Sequence, residues 1–318
     1  MRQHILLEQL GDNASCELKR SFLIENKVAF VDAMKHTSNM KYLKVIPDVV
    51  KTMEIADALT VKSSLTSLNL ILNKLRNQLA MAIAEALKVN SSLTSLNLKN
   101  NSIQQVGGIA IADALKINSS LISLNLENNS IQQEGAMAIA DALKLNSSLT
   151  SLELGANNIR QEGAMAIADA LKVNSSLTSL NLQKNSIQNE GAIAIAHGLK
   201  VNFSLTSLNL SSNSVQQEGA IAIAKALRMN ITLTLLDLGE NQIHQVGATS
   251  IAKALTYNPT LLDLGCNQQF SGLQEFKATY HNLHGLLNIL IGEDEAQMLG
   301  ISFQMKSRCV TYETDSRY

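Results

Sequence analysis

The chain has 318 residues, with 26 basic against 27 acidic side chains and a formal net charge of −1, so no global field draws it to nucleic acid or to an anionic membrane. An apolar share of 46% with 2 prolines and no tryptophan argues against a largely disordered chain. Cys16, Cys266 and Cys309 are odd in number and far apart, with no C-x-x-C, which argues against a disulfide framework and fits reduced thiols in the cytoplasm.

At the N-terminus, Met1 to Glu8 holds an apolar run too short for a signal peptide. A helix is expected across roughly Leu18 to Lys35, because Val31-Asp32-Ala33-Met34-Lys35 lays onto Ala112 to Lys116 further along. Residues 1–39 are therefore expected to form a helical cap. A degenerate unit begins near Met40, with Asp48 where later units carry Asn.

From Leu65 a 28-residue unit recurs, starting at Leu65, Leu93, Leu121, Leu149, Leu177, Leu205 and Leu233. Each copy reads L-x-x-L-x-L-x-x-N-x-I/L/V and continues into a Gly/Ala-rich stretch ending in A-L-K or a close variant. A fixed period of this size marks a stacked solenoid, in which no unit buries its apolar face alone. The L-x-L core alternates as a half-buried strand does. The Asn that follows recurs as Asn73, Asn101, Asn129, Asn157, Asn185, Asn213 and Asn241, and its short amide suits backbone bonding where the chain leaves the strand. Stacked copies are expected to form a structural ladder.

The stretch Ala136 to Lys144 places Ala136, Ile139, Ala140 and Leu143 on one helical stripe. Gly107, Gly135, Gly163, Gly191, Gly219 and Gly247 mark the helix starts, where a tight turn or a close backbone approach is needed. A row of Met81, Ile109, Met137, Met165, Ile193 and Ile221 is expected to pack helix against helix. Asn-Ser-Ser closes the unit as a polar turn. A strand, a helix and two turns per unit predict an α/β solenoid, a right-handed β-α superhelix. The helical half is the wider, so the stack curves, with parallel strands on the concave face and helices on the convex face.

About nine units are expected over residues 40–270, the last a decaying strand at Leu261 to Leu264. Capping helices are expected over 271–304 and a polar tail over 305–318. The Leu286 to Ile291 run is too short to span a bilayer.

Catalytic, metal and cofactor sites are not expected. His281-x-x-His284 has no third ligand nearby. Ser is periodic and the His are scattered, so no nucleophile-base set stands out. Asn-x-Ser/Thr occurs at Asn13, Asn90, Asn118, Asn146, Asn174, Asn202 and Asn230, but six of these are the repeat's own turn.

The units resemble the ribonuclease-inhibitor type of leucine-rich repeat, on the strength of L-x-x-L-x-L-x-x-N-x-I followed by x-G-A-x-A-I-A-x-A-L over about residues 31–270. The pattern is similar to the repeat regions of NOD-like receptors. The chain lacks G-x-x-x-x-G-K-[ST], so their nucleotide-binding module is absent from it. The resemblance implies a horseshoe that binds a protein partner through its strand face and adjoining loops.

Strand alternation puts the third, fifth and seventh positions of each unit on that face. The third is nearly uniform Ser and the fifth nearly uniform Asn, so specificity is expected in the variable column. The candidates are Tyr42, Lys44, Lys99, Glu127, Glu153, Lys184, Asp237 and Glu240. The alternative is a GTPase activator resembling the Ran type, acting through strand-exit loops, with Arg160 as the suspected residue. Near-identical internal copies are also what recent duplication leaves behind.

Overall fold

The computed structural model describes residues 15–19, 41–46, 54–60, 64–72, 76–255 and 257–258. Nine strands form one parallel sheet in chain order: β1 (Ser15–Lys19), β2 (Tyr42–Ile46), β3 (Ser67–Asn69), β4 (Ser95–Asn97), β5 (Ser123–Asn125), β6 (Ser151–Glu153), β7 (Ser179–Asn181), β8 (Ser207–Asn209) and β9 (Leu235–Asp237). Helices alternate with them: α1 (Glu54–Thr60), α2 (Arg76–Val89), α3 (Gln105–Leu115), α4 (Gln132–Leu143), α5 (Arg160–Leu171), α6 (Gln188–Leu199), α7 (Gln217–Leu227) and α8 (His244–Leu255). This is a leucine-rich-repeat α/β solenoid, strands inside and helices outside. The register holds equivalent positions side by side, as in Ser123↔Ser151 and Leu124↔Leu152.

The core lies between sheet and helices. Leu121, Leu124, Leu126 and Ile131 meet Ala136, Ile139, Ala140 and Leu143, all buried. Alanine at half of the helical contact positions lets the helices approach the sheet closely. Glycine at the helix start serves the same end. A Cβ on Gly163 would sit 2.6 Å from Ile159 Cγ2 and 3.0 Å from the Ala136 Cβ of the previous helix. Close approach, not a left-handed turn, is what that position requires.

Two asparagine ladders tie the units together. In the first, Asn157 Nδ2 donates to the carbonyls of Leu126, Leu154 and Gly155 at 2.8, 3.0 and 3.1 Å. Its Oδ1 accepts the N–H groups of Asn129 and Ile131 in the unit before. Asn101, Asn129, Asn185, Asn213 and Asn241 make the same kind of contacts; Asn73 lies outside the described residues.

The second ladder is the turn asparagine: Asn90, Asn118, Asn146, Asn174, Asn202, Asn230 and Asn258, at 0–7% exposure. Asn146 Nδ2 donates to Leu115 O and Asn118 O, and its Oδ1 accepts from Ser148 N and Leu149 N. A carbonyl left over at each helix end is thereby satisfied by the following unit. Six of these seven are the sequons singled out above. Their amides are buried and bonded, so a folded chain cannot present them for glycosylation.

The N-terminus corrects one expectation. Residues 1–39 are not all helical cap: Ser15–Lys19, which overlaps the expected helix at Leu18, is a strand paired in parallel with β2. Its polar-apolar alternation fits a strand, and it covers an edge of β2 that would otherwise be open. The sheet therefore starts one unit earlier than Met40. The remainder of the expected N-terminal helix, the ninth strand expected at 261–264, the C-terminal cap and the polar tail lie outside the described residues.

The Met/Ile row also departs from expectation. Met81, Met137 and Met165 are over two-fifths exposed and Ile109, Ile193 and Ile221 half-buried, because this position sits one residue off the inward stripe.

Candidate partner-binding face

The uniform rows on the concave face are engaged in the fold itself. At the fifth position, Asn97 Oδ1 accepts from Lys99 N at 3.1 Å and Asn125 Oδ1 from Glu127 N at 2.9 Å. Asn69, Asn181 and Asn209 repeat the contact, which turns the chain out of the strand. Asp237 does so too, accepting from Gly239 N at 2.8 Å, so one candidate contact residue has a structural task. Glu153 is the exception in this row: among the described residues its side chain makes no hydrogen bond, and it stands half-buried on the face. In the sequence the Asn row reads only as uniform, and its spacing of two from the turn is the signal of its role.

The seventh and eighth positions carry the variety. Lys99 Nζ lies 2.7 Å from Glu127 Oε2, with the two side chains 28% and 18% exposed. These two candidates are thus brought together as a cross-unit ion pair. Gly155 follows in the row. A Cβ there would sit 2.8 Å from Gln183 Cγ and 3.3 Å from Glu127 Cγ, so the neighbours on both sides close over the glycine. Lys184 and Glu240 are exposed at the strand exits, and Ser212 Oγ donates to Glu240 Oε2 at 2.8 Å. Tyr42 is half-buried, and Asn69 Nδ2 donates to its hydroxyl at 3.3 Å. Lys44 is half-buried two residues away on the same strand. The candidates therefore fall into a central strip around Lys99, Glu127 and Glu153, an N-terminal pair, and a C-terminal group.

The eighth position is left-handed in every described unit: Leu72, Asn100, Asn128, Ala156, Lys184, Ser212 and Glu240 have φ between 51 and 62. Only the asparagines suit that region well. Arg160 is exposed where α5 begins, with φ 60, and its N–H donates to Asn185 O at 2.9 Å. Among the described residues no cluster of three or more His, Cys, Asp or Glu could hold a metal ion, and no helix is long and apolar enough to cross a membrane. His281 and His284 lie outside the described residues.

The TMOD/LMOD Leucine-rich domain model matches residues 156–282, and a Leucine Rich repeat model matches 89–112 and 118–140. Among solved structures, leiomodin-1 actin-binding site 2 is similar at 27% identity and a TM-score of 0.42, over 46% of this chain and 87% of that one. The tropomodulin C-terminal domain of Caenorhabditis elegans is similar at 17% identity and a TM-score of 0.40, over 46% of this chain and 90% of that one. No curated protein matches the chain by sequence.

Proposed function

We infer that the chain is a non-enzymatic interaction module of the cytoplasm that takes a protein partner on its concave face. Tyr42, Lys44, Lys99, Glu127, Glu153, Lys184, Asp237 and Glu240 carry the contacts, and the asparagine ladder holds the face rigid. One observation carries this reading. The uniform Asn row is engaged in internal hydrogen bonds, while the variable column presents side chains of both signs at the surface. Stacked repeats are usually binding surfaces, and matches to leucine-rich-repeat models agree with that use. Tyr and Arg, the usual hot-spot residues, are scarce here, so affinity is spread over area and modest at any one contact.

The test compares tagged chain with a Lys99→Glu, Glu153→Lys, Lys184→Glu variant, both checked by circular dichroism, in affinity purification with mass spectrometry. A protein retained by the first and lost from the second identifies a concave-face partner. Equal recovery from both removes this mapping. The exposure of Arg160 at the start of α5, just after the strand-exit loop, is what favours the GTPase-activating alternative, and single-turnover GTP hydrolysis separates the two; no acceleration is expected at micromolar chain.

A further inference from the structure

A second face differs along the length of the molecule. From α2 to α7 each unit leaves its helix through a basic residue, an apolar residue and the buried Asn, as in Lys116-Ile117-Asn118, Lys144-Leu145-Asn146, Lys200-Val201-Asn202 and Arg228-Met229-Asn230. Burial of the Asn turns the residue before it outward, so this apolar column stands 54–69% exposed from Val89 to Tyr257. It forms a ridge along the flank where the helices end.

The charge beside that ridge changes partway from balanced to positive. In α2 to α5 each lysine pairs with an acid three residues earlier: Lys88–Glu85, Lys116–Asp113, Lys144–Asp141 and Lys172–Asp169, at 2.6–2.8 Å. In α6 and α7 the acid's place is held by His197 and Lys225, ahead of Lys200 and Arg228. Among the described residues these four make no salt bridge. In the same two units the exposed turn serine, as at Ser147 and Ser175, is replaced by Phe203 and Ile231, at 60% and 62% exposure. The Arg228 guanidinium lies 4.6 Å above the Tyr257 ring. Among the described residues after Gly191 the carboxylates are Glu218, at the opposite end of α7, and Asp237 and Glu240 on the strand side. Both substitutions thus act in one direction at one place: they remove negative charge and add large apolar surface.

We propose that this C-terminal flank, centred on Phe203, Lys225, Arg228 and Ile231, docks an acidic protein segment that carries large apolar side chains. Positive potential steers such a segment to the flank, and the apolar ridge supplies contact area. A compact occupant fits better than a bilayer. An anionic membrane laid along the ridge would also meet Glu85, Asp113, Asp141 and Asp169, whose side chains are 52–69% exposed. A peptide confined to the last units meets none of them. The site is on a different surface from the concave column, so the two proposals fail separately.

The test uses the whole chain and a fluorescein-labelled 16-residue peptide that alternates Glu with Leu and Phe. Two variants restore the residues of the earlier units: His197→Asp with Lys225→Asp, and Phe203→Ser with Ile231→Ser. Both are expected to keep the fold by circular dichroism, because those residues already occupy these positions elsewhere in the array. Fluorescence anisotropy should show micromolar binding to the chain, about tenfold weaker for either variant, and unchanged for the concave-face triple variant. No binding of the peptide to the chain, binding to the flank variants as tight as to the unaltered chain, or binding only to phosphatidylserine vesicles would each overturn the proposal.

Discussion

At the scale of single residues, the molecule depends on side chains that stand in for backbone. Asn157 supplies five hydrogen bonds that no neighbouring main-chain group replaces. Asn157→Ala leaves two buried N–H groups without a partner, at roughly 1–3 kcal/mol each. A loss of about 2–6 kcal/mol is therefore expected from urea denaturation. Ser147→Ala, at an exposed turn position, should stay within about 0.5 kcal/mol. Equal effects would mean that the ladder adds nothing beyond its own desolvation. The ladder at Asn157 was legible in the sequence because a polar residue at fixed period beside a strand has few other uses. The ladder at Asn146 was not, because Asn-Ser-Ser has the composition of an exposed turn. Only the depth of the turn, set by the packing of helix ends on the sheet, shows that the Asn is inside and the apolar residue before it outside. A fixed apolar column reads as core whichever way it points.

At the scale of elements, one methylene decides how each helix begins. Where the thirteenth residue of a unit is Asn, its Oδ1 caps the next unit's helix: Asn77 accepts from Gln104 N and Gly107 N, and Asn189 from Gln216 N and Gly219 N. Gln104 and Gln216 are then extended, at φ −97 and −104. Where that residue is Gln, at Gln105, Gln133, Gln161 and Gln217, the corresponding Gln132, Arg160, Gln188 and His244 are left-handed at φ 50–63. Gln132, Arg160 and Gln188 then send their N–H forward to the carbonyls of Asn157, Asn185 and Asn213. The shorter amide reaches the orphan donors of the helix start and the longer one does not. Gln133→Asn should therefore turn Arg160 from φ 60 to the extended region and begin α5 one residue later. The three-bond coupling between its amide and Hα protons would report the change, and an Arg160 that stayed left-handed would refute the rule. This places Arg160 among ordinary helix starts and makes its backbone a property of the preceding unit. Element existence was readable from the period, but this alternation was not, because Asn and Gln look equivalent until reach is measured against a particular backbone.

At the scale of the whole molecule, the described part of the array is held together chiefly by contacts between adjacent units. Its sheet pairs, both ladders and the Thr hydroxyl bonds, such as Thr178 Oγ1 to Thr150 O, all span about one unit. Stability is then a sum of unit and interface contributions, and a break in the middle should separate the two sides. The extra strand at Ser15–Lys19 extends that chain of interfaces by one at the end where the pattern is weakest; without an L-x-x-L-x-L-x-x-N motif, five residues of simple alternation could not be told from a helix in the sequence. Substituting Leu152→Ala together with Asn157→Ala weakens the unit of β6 at both its core and its ladder. The leucine alone is buried and contributes about 2–5 kcal/mol. In urea the unaltered chain should unfold in one transition, and the double variant in two. Hydrogen exchange should then show one half of the sheet opening while the other stays protected, with the boundary at β6. A single transition displaced to lower urea would show instead that cooperativity reaches past the nearest neighbour. In that case a partner bound at the concave strip around Lys99 would stabilise the flank at Arg228 as well, and the two faces would be energetically linked through the stack.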